Sequence, residues 1–183
     1  MAIWDWLKEI PIIDDVADAL DMFTEFLPEA DSVAVPVGDY AELRESMYWT
    51  IGENGVDTRQ QLLIDFSLEP VSLGDNGHVA VGFWRDPHTG FESNDPSDFD
   101  VDHRVPFREI ADQFPQLYEL PKDEQLAIYN DVENLCVVHD VHNLEKGDDL
   151  PAKHALEITD VDARREFLRK CADYLGLLRE RLG

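Results

Sequence analysis

The sequence predicts an α+β fold, and three observations predict it. Short runs of alternating apolar residues, bounded by Asp-Pro and Thr-Gly turns, occupy the middle of the chain. Helical periodicity flanks them on both sides, and no run approaches the roughly 20 apolar residues of a membrane span. At 183 residues the chain accommodates one core with an added terminal segment, without repeats or low-complexity tracts. It divides into an acidic amphipathic N-terminal segment and connector over 1–38, a domain over 39–158, and a C-terminal helix over 159–183 packed on that domain.

In the first segment Ile3, Trp6, Leu7, Ile10, Ile13, Val16, Leu20, Phe23 and Leu27 recur at helical spacing, interrupted near Pro11. The first fifty residues carry twelve carboxylates against Lys8 and Arg44. Such a face suits docking on the core or recruiting a protein partner, and its lack of cations disfavours a membrane surface or DNA. A connector with a short strand at Val33 to Val37 leads to a helix over Asp39 to Trp49, capped by Asp39. In ENGVDTRQQLLIDF a glycine turn precedes a second helix with Thr58 as its N-cap.

The alternation of His78 to Trp84 predicts a strand ending at Asp86-Pro87, with Thr89-Gly90 completing a turn. Asp95 to Asp98 forms another turn, and Phe99 to Val105 a second short strand. Helices are expected at Phe107 to Phe114 and Lys122 to Asn130, then a strand at Asn134 to Val138 and a short helix from Val141. Asp160 to Leu182 reads as a long helix, with Thr159 and Asp162 resembling a capping box and Phe167, Leu168, Cys171, Leu175 and Leu178 on one apolar face. Six of the fifteen basic residues lie on it, and we read them as a solvated face paired with nearby acids ahead of a DNA-tracking face.

Forty acidic residues against fifteen basic give a net charge of −25, spread through the chain. This composition points to a halophilic protein of archaeal-like acidity, since at 1 M salt self-repulsion is screened within about 3 Å. Under ordinary salt the same charge opposes nucleic-acid binding, which depends on neutralised phosphates. Cys136 and Cys171 sit in apolar contexts without CxxC spacing and read as core thiols. The opening residues MAIWDWLKEIPIIDD contain no basic leader, so a soluble cytoplasmic protein is expected.

The chemistry concentrates in two stretches. FWRDPHTGFESNDPSDFDVDHRVP ends in Asp102-His103 before an Arg-Val-Pro turn, and downstream come Asn134 in ENLCVV and Asn143 and Lys146 in HNLEKGDD. Imidazole titrates near neutrality, so His103 is the natural base toward a water, while Asp102 and Asn143 offer oxygens to one hard cation, Mg²⁺ or Mn²⁺. Together these are the minimum apparatus for hydrolysing a phosphodiester. On an extended strand Asp102 and His103 point to opposite sides, and both reach one site only if the strand bends near Pro106. Asn134 orients His103 or ties the loop, Lys146 meets a phosphate oxygen, and His139 or His142 would replace Asn143 as ligand if the register differs. Singly each residue has a plainer reading: a chance Asp-His pair, a turn cap, a helix end.

These motifs, together with NGVDTRQQLL upstream, resemble the HNH or ββα-metal endonucleases, in particular small secreted actinobacterial nuclease-like proteins and the nuclease part of modified-DNA restriction enzymes. The resemblance covers about Tyr40 to Leu156 and implies a ββα-metal core wrapped by helices. It also implies His103 as general base, Asp102 and Asn143 as metal ligands, Asn134 as the middle residue of the signature, and DNA as substrate. Arg59 and Arg104 are the candidate substrate-binding cations, although for Arg59 an ion pair with Asp57 or Asp86 ranks first. Secreted members of this kind carry cysteines where Val56 and His78 stand here, a loss that fits a reducing interior or a salt-adapted fold. His88 replaces the family's aromatic after Asp-Pro, which alters packing near the site.

The biological setting is open: defence or restriction, a mobile element or virus, and an effector toxin with an N-terminal docking helix all suit the same residues. A catalytically idle HNH fold used for binding or structure, and an acidic DNA mimic, are the rival readings. If the acidic surface is an adaptation to salt, DNA binding and cleavage persist or rise as KCl is raised toward molar concentration. A gel assay across a KCl series checks this, and loss of both above modest salt would remove the halophile argument.

Overall fold

The computed structural model describes residues 38–147 and 149–183. The expected N-terminal helices and the Val33 to Val37 strand lie outside the described residues. Within the described residues the fold is α+β: seven α-helices surround three two-stranded antiparallel sheets. No helix among these residues is long and apolar enough to cross a membrane.

Helix α1 spans Tyr40–Glu45, with the Asp39 carboxylate accepting from Ala41 N at 2.8 Å. It stops well short of the Trp49 expected from the sequence, because the Ser46 hydroxyl donates to Leu43 O at 2.6 Å and closes the last turn. Helix α2, Thr58–Asp65, is capped by Asp57 and not by Thr58: the Asp57 carboxylate accepts from Gln60 N at 2.8 Å, and a carboxylate is the better partner for a helix N-terminus. The run from His78 to Trp84 divides into β2, Val79–Val81, which pairs with β1, Ser72–Leu73, and β3, Trp84–Arg85, which pairs with β4, Glu92–Ser93. The break falls at Gly82, where a Cβ would run into the buried Trp84 ring. Between β3 and β4 the chain reverses through Asp86 to Phe91, with Gly90 at φ +74° completing the turn.

The central pair is β5, Phe99–His103, against β6, Leu135–His139. Phe99 faces His139, Val101 faces Val137 and His103 faces Leu135 on one side, while Asp100 faces Val138 and Asp102 faces Cys136 on the other. Between the two strands the chain inserts α3, Phe107–Gln113, and α4, Lys122–Tyr129. Directly after β6 comes α5, Asp140–Lys146, which packs on both strands. Helix α6 is Pro151–Ala155, and α7 is Val161–Leu182. Asp160 caps α7 through Ala163 N at 2.8 Å, in place of the expected Thr159 capping box.

Two apolar clusters hold these elements. One combines Leu62, Leu63, Val79, Trp84, Phe99, Val101, Leu135 and Val137 beneath β5 and β6. The other gathers the helices, with α7 burying Phe167, Leu168, Cys171, Ala172, Tyr174, Leu175 and Leu178 at i, i+3, i+4 spacing. The opposite face of α7 carries short-range ion pairs such as Arg165 with Asp162 at 2.9 Å and Arg169 with Glu166 and Asp173 at 2.7 Å. Trp84 is fully enclosed and donates from Nε1 to Leu63 O at 2.7 Å, and Phe99 packs against it with ring centroids 5.9 Å apart. Removing a fully buried aromatic side chain costs about 3–5 kcal/mol. Phe99→Ala therefore lowers unfolding stability by that order in a urea titration, and a loss under about 1 kcal/mol would show that the cluster does not anchor β5.

Candidate functional site

The site builds from the end of β5. Asn134, just before β6, is completely buried, and its amide grips one peptide of the chain leaving β5: Oδ1 accepts from Val105 N at 2.8 Å and Nδ2 donates to Val105 O at 2.9 Å. Its own carbonyl accepts from Arg104 N at 2.7 Å. This fixes where β5 ends and where His103 stands. Asn134 thus ties the loop after β5 to the start of β6.

Past this clamp opens a cleft of about 350 Å³ whose lining includes Asp102, His103, Asn143 and Lys146, with Arg44, Trp49 and Tyr129 on the facing wall. Asp102 and His103 project to opposite sides of β5, as alternation requires, and both reach the cleft because it lies at the strand's end. His103 Nε2 lies 2.8 Å from Tyr129 O. A carbonyl only accepts, so the ring carries its proton on Nε2 and presents the Nδ1 lone pair. Trp49 stacks on the ring at 5.8 Å and 15°, and Tyr129 tilts against it at 4.7 Å. Burial pushes the His103 imidazole down to about 4, opposed by the Tyr129 carbonyl and reinforced by the Lys146 and Arg44 cations, so the ring is neutral at pH 7.

On the other face of β5, Asp100 and Asp102 look toward α5. Asn143 Nδ2 reaches Asp100 Oδ2 at 3.4 Å. Lys146 lies 2.9 Å from Asp102 Oδ2, an ion pair between two largely enclosed side chains. The ammonium also donates to His103 O at 3.0 Å. Burial raises the Asp102 carboxyl above its ordinary range, and the Lys146 cation opposes this. With its side chain only 2% exposed, Lys146 is directed inward at the strand end.

The two candidate substrate-binding arginines lie elsewhere. Arg104 is buried and donates to Glu133 O at 3.1 Å. Arg59 donates to Phe99 O at 2.9 Å and sits 3.6 Å from Asp100, so its acidic neighbour is neither Asp57 nor Asp86. Besides Lys146 the cleft lining carries one arginine, Arg44, whose guanidinium lies over Tyr129 at 5.2 Å. Arg44 stands alone in an acidic segment, and only its isolation hinted at a role.

A second constellation lies beyond Asp100. His142, from α5, does not join Asp102 and Asn143: its Nδ1 lies 3.2 Å from Asp86 Oδ2, and its ring belongs to a buried group with His88 and His154. One nitrogen from each of the three falls within 4.8 Å of the others. His139 stays outside, stacked on Phe91 at 3.9 Å and 3.4 Å from Asp140. Burial pushes His88 down to about 4 and His154 down to about 3, while the bond to Asp86 raises His142 against the effect of burial. Burial alone would push Asp86 up, yet bonds from His142, His139 N and His88 N hold its carboxyl far below the usual range. Sequence gave His88 only as a departure from an aromatic, and His154 carried no signal at all.

Compared with protein-family profiles, curated proteins and solved structures, the chain matches none of them.

The Asn134 clamp has a measurable consequence. Asn134→Ala strands a buried donor and a buried acceptor of Val105, each costing about 1–3 kcal/mol. Urea unfolding should show a loss of about 2–4 kcal/mol, and a change under 1 kcal/mol would mean that water replaces the amide.

Proposed function

We propose that the chain is a metal-dependent endonuclease of the ββα-metal type that hydrolyses phosphodiester bonds of DNA in the cleft at the end of β5. The observation that carries this reading is the convergence of Asp102, His103, Asn143 and Lys146, up to 44 positions apart, on one cleft. The strand pair β5–β6 followed at once by α5 has the order expected of that motif.

The donor set fits a hard divalent cation. Asp102 and Asn143 both line the cleft and offer a carboxylate and an amide oxygen, and the Lys146 ammonium 2.9 Å from Asp102 Oδ2 already holds a positive charge at that oxygen. A bound Mg²⁺ or Mn²⁺ would supply Lewis-acid stabilisation of charge on the phosphoryl and leaving oxygens. The chain's own residues do the rest. Tyr129 O and Trp49 hold the His103 ring in one tautomer and one plane, leaving Nδ1 to take a proton from water. Lys146 and Asn134 fix the backbone that leaves that ring, at His103 O and at Val105. Arg44 offers a permanent positive charge at the cleft wall to a phosphate otherwise repelled by the surface.

One observation favours the rival reading of an idle fold kept for binding: the Lys146 ammonium already rests on Asp102, where a metal would compete with it. The two readings separate in one experiment. Supercoiled plasmid is incubated with the protein in molar KCl, with Mg²⁺, with Mn²⁺ or with EDTA, beside His103→Ala and Asp102→Ala. The nuclease reading expects nicking that EDTA abolishes and that His103→Ala reduces by about 10² or more, with Mn²⁺ affinity by calorimetry kept in His103→Ala and weakened in Asp102→Ala. No nicking at any salt, with no Mn²⁺ uptake by the wild type, would leave the idle fold.

A further inference from the structure

We propose that His88, His142 and His154 form a zinc site, three protein ligands with the fourth position left to a water, that fastens the β3–β4 turn and helix α6 to helix α5. The three ligands come from three separate elements and converge in the interior, against the Phe167 ring.

One pair of nitrogens in the group stands at the spacing a tetrahedral ion imposes. Zinc–imidazole bonds of about 2.0–2.1 Å at a tetrahedral angle set the two nitrogens about 3.3–3.4 Å apart. His88 Nδ1 and His154 Nε2 face each other at 3.2 Å.

The remote nitrogens carry a second sign. Metal-bound histidines commonly donate their other N–H to a carboxylate or carbonyl, which fixes tautomer and ring plane. His142 has Asp86 Oδ2 at 3.2 Å from Nδ1, leaving Nε2 as its ligating atom. His154 has Glu157 Oε2 at 3.7 Å from its Nδ1. Two of the three rings therefore have a carboxylate behind the nitrogen that faces away from the cluster. Asp86 is itself enclosed, and its negative charge would offset a buried dication.

The plainer arrangement, three histidines packed as core with a His88–His154 hydrogen bond, leaves the buried His154 Nδ1 without a hydrogen bond in either tautomer. An apolar residue would fill that space at less cost. Zinc on Nε2 would fix the ring in its Nδ1–H tautomer, with the proton on the side of the Glu157 carboxylate 3.7 Å away. Donor type also separates this centre from the cleft, because imidazole nitrogens select zinc whereas the Asp102–Asn143 oxygens suit magnesium or manganese.

The test needs no nucleic acid, so its failure is distinct from failure of the nuclease reading. The purified full chain is stripped with chelator and dialysed, then titrated with Zn²⁺ by calorimetry and with Co²⁺ as a visible reporter. The expected result is one zinc per chain, the intense visible bands of tetrahedral Co²⁺, and an unfolding temperature raised by zinc and returned by EDTA. Asp86→Asn should weaken zinc about 10–100-fold, and His154→Leu should abolish binding. Asp102→Asn combined with Asn143→Ala should leave it unchanged. No zinc taken up by the folded wild type, or only weak octahedral cobalt absorption, would overturn the site. So would full stoichiometry in His154→Leu. Should that variant not fold, the wild-type cobalt spectrum decides alone.

Discussion

A single buried carboxylate, Asp86, sets the geometry on which both constellations depend. Its Oδ1 accepts from His88 N at 2.7 Å and shapes the β3–β4 turn; its Oδ2 accepts from His139 N at 3.0 Å, where β6 passes into α5, and meets His142 Nδ1 at 3.2 Å. An unpaired charge at this depth would cost several kcal/mol. Here backbone donors and one imidazole satisfy it, and in doing so they pin a turn to a helix start 53 positions later in the chain. The start of α5 is thereby fixed, and with it the positions of Asn143 and Lys146 over β5.

Strand alternation then sorts the chemistry. On one side of β5, His103 lies among aromatic rings whose burial of the imidazole keeps it neutral; on the other, Asp100 and Asp102 meet the amide and ammonium of α5. Neighbours in sequence thus occupy unlike surroundings, one apolar and one ionic, and share only the cleft at the strand end. The Asn134 clamp makes that end a fixed point, because it holds both polar atoms of one peptide.

The acidic surplus lies largely apart from these arrangements. On α7 the carboxylates pair with arginines three or four residues away, on an exposed face where such pairs contribute only a few tenths of a kcal/mol each. Arg44, over the Tyr129 ring on the cleft wall, gives the polyanionic surface one local exception.

The sequence by itself determined the local structure. Period-two alternation marked β5 and β6 to within two residues and 3.6 periodicity marked α3, α4 and α7; of the caps, Asp39 stood where it was expected, while at α2 and α7 the expected threonines gave way to Asp57 and Asp160 one residue away. The order Asp102-His103, Asn134, Asn143 and Lys146 was likewise legible, since motif spacing is a property of the chain. What only the tertiary structure decided is which of these groups meet. Arg59 found Asp100, Arg104 turned to Glu133 O, Lys146 turned inward, and His142 left the oxygen ligands for His88, noted in the sequence only as a departure, and His154, which carried no local signal. The reason is physical: propensity and alternation act over a few residues, whereas these contacts join segments dozens of residues apart, and their partners are set by how helices pack around β5 and β6.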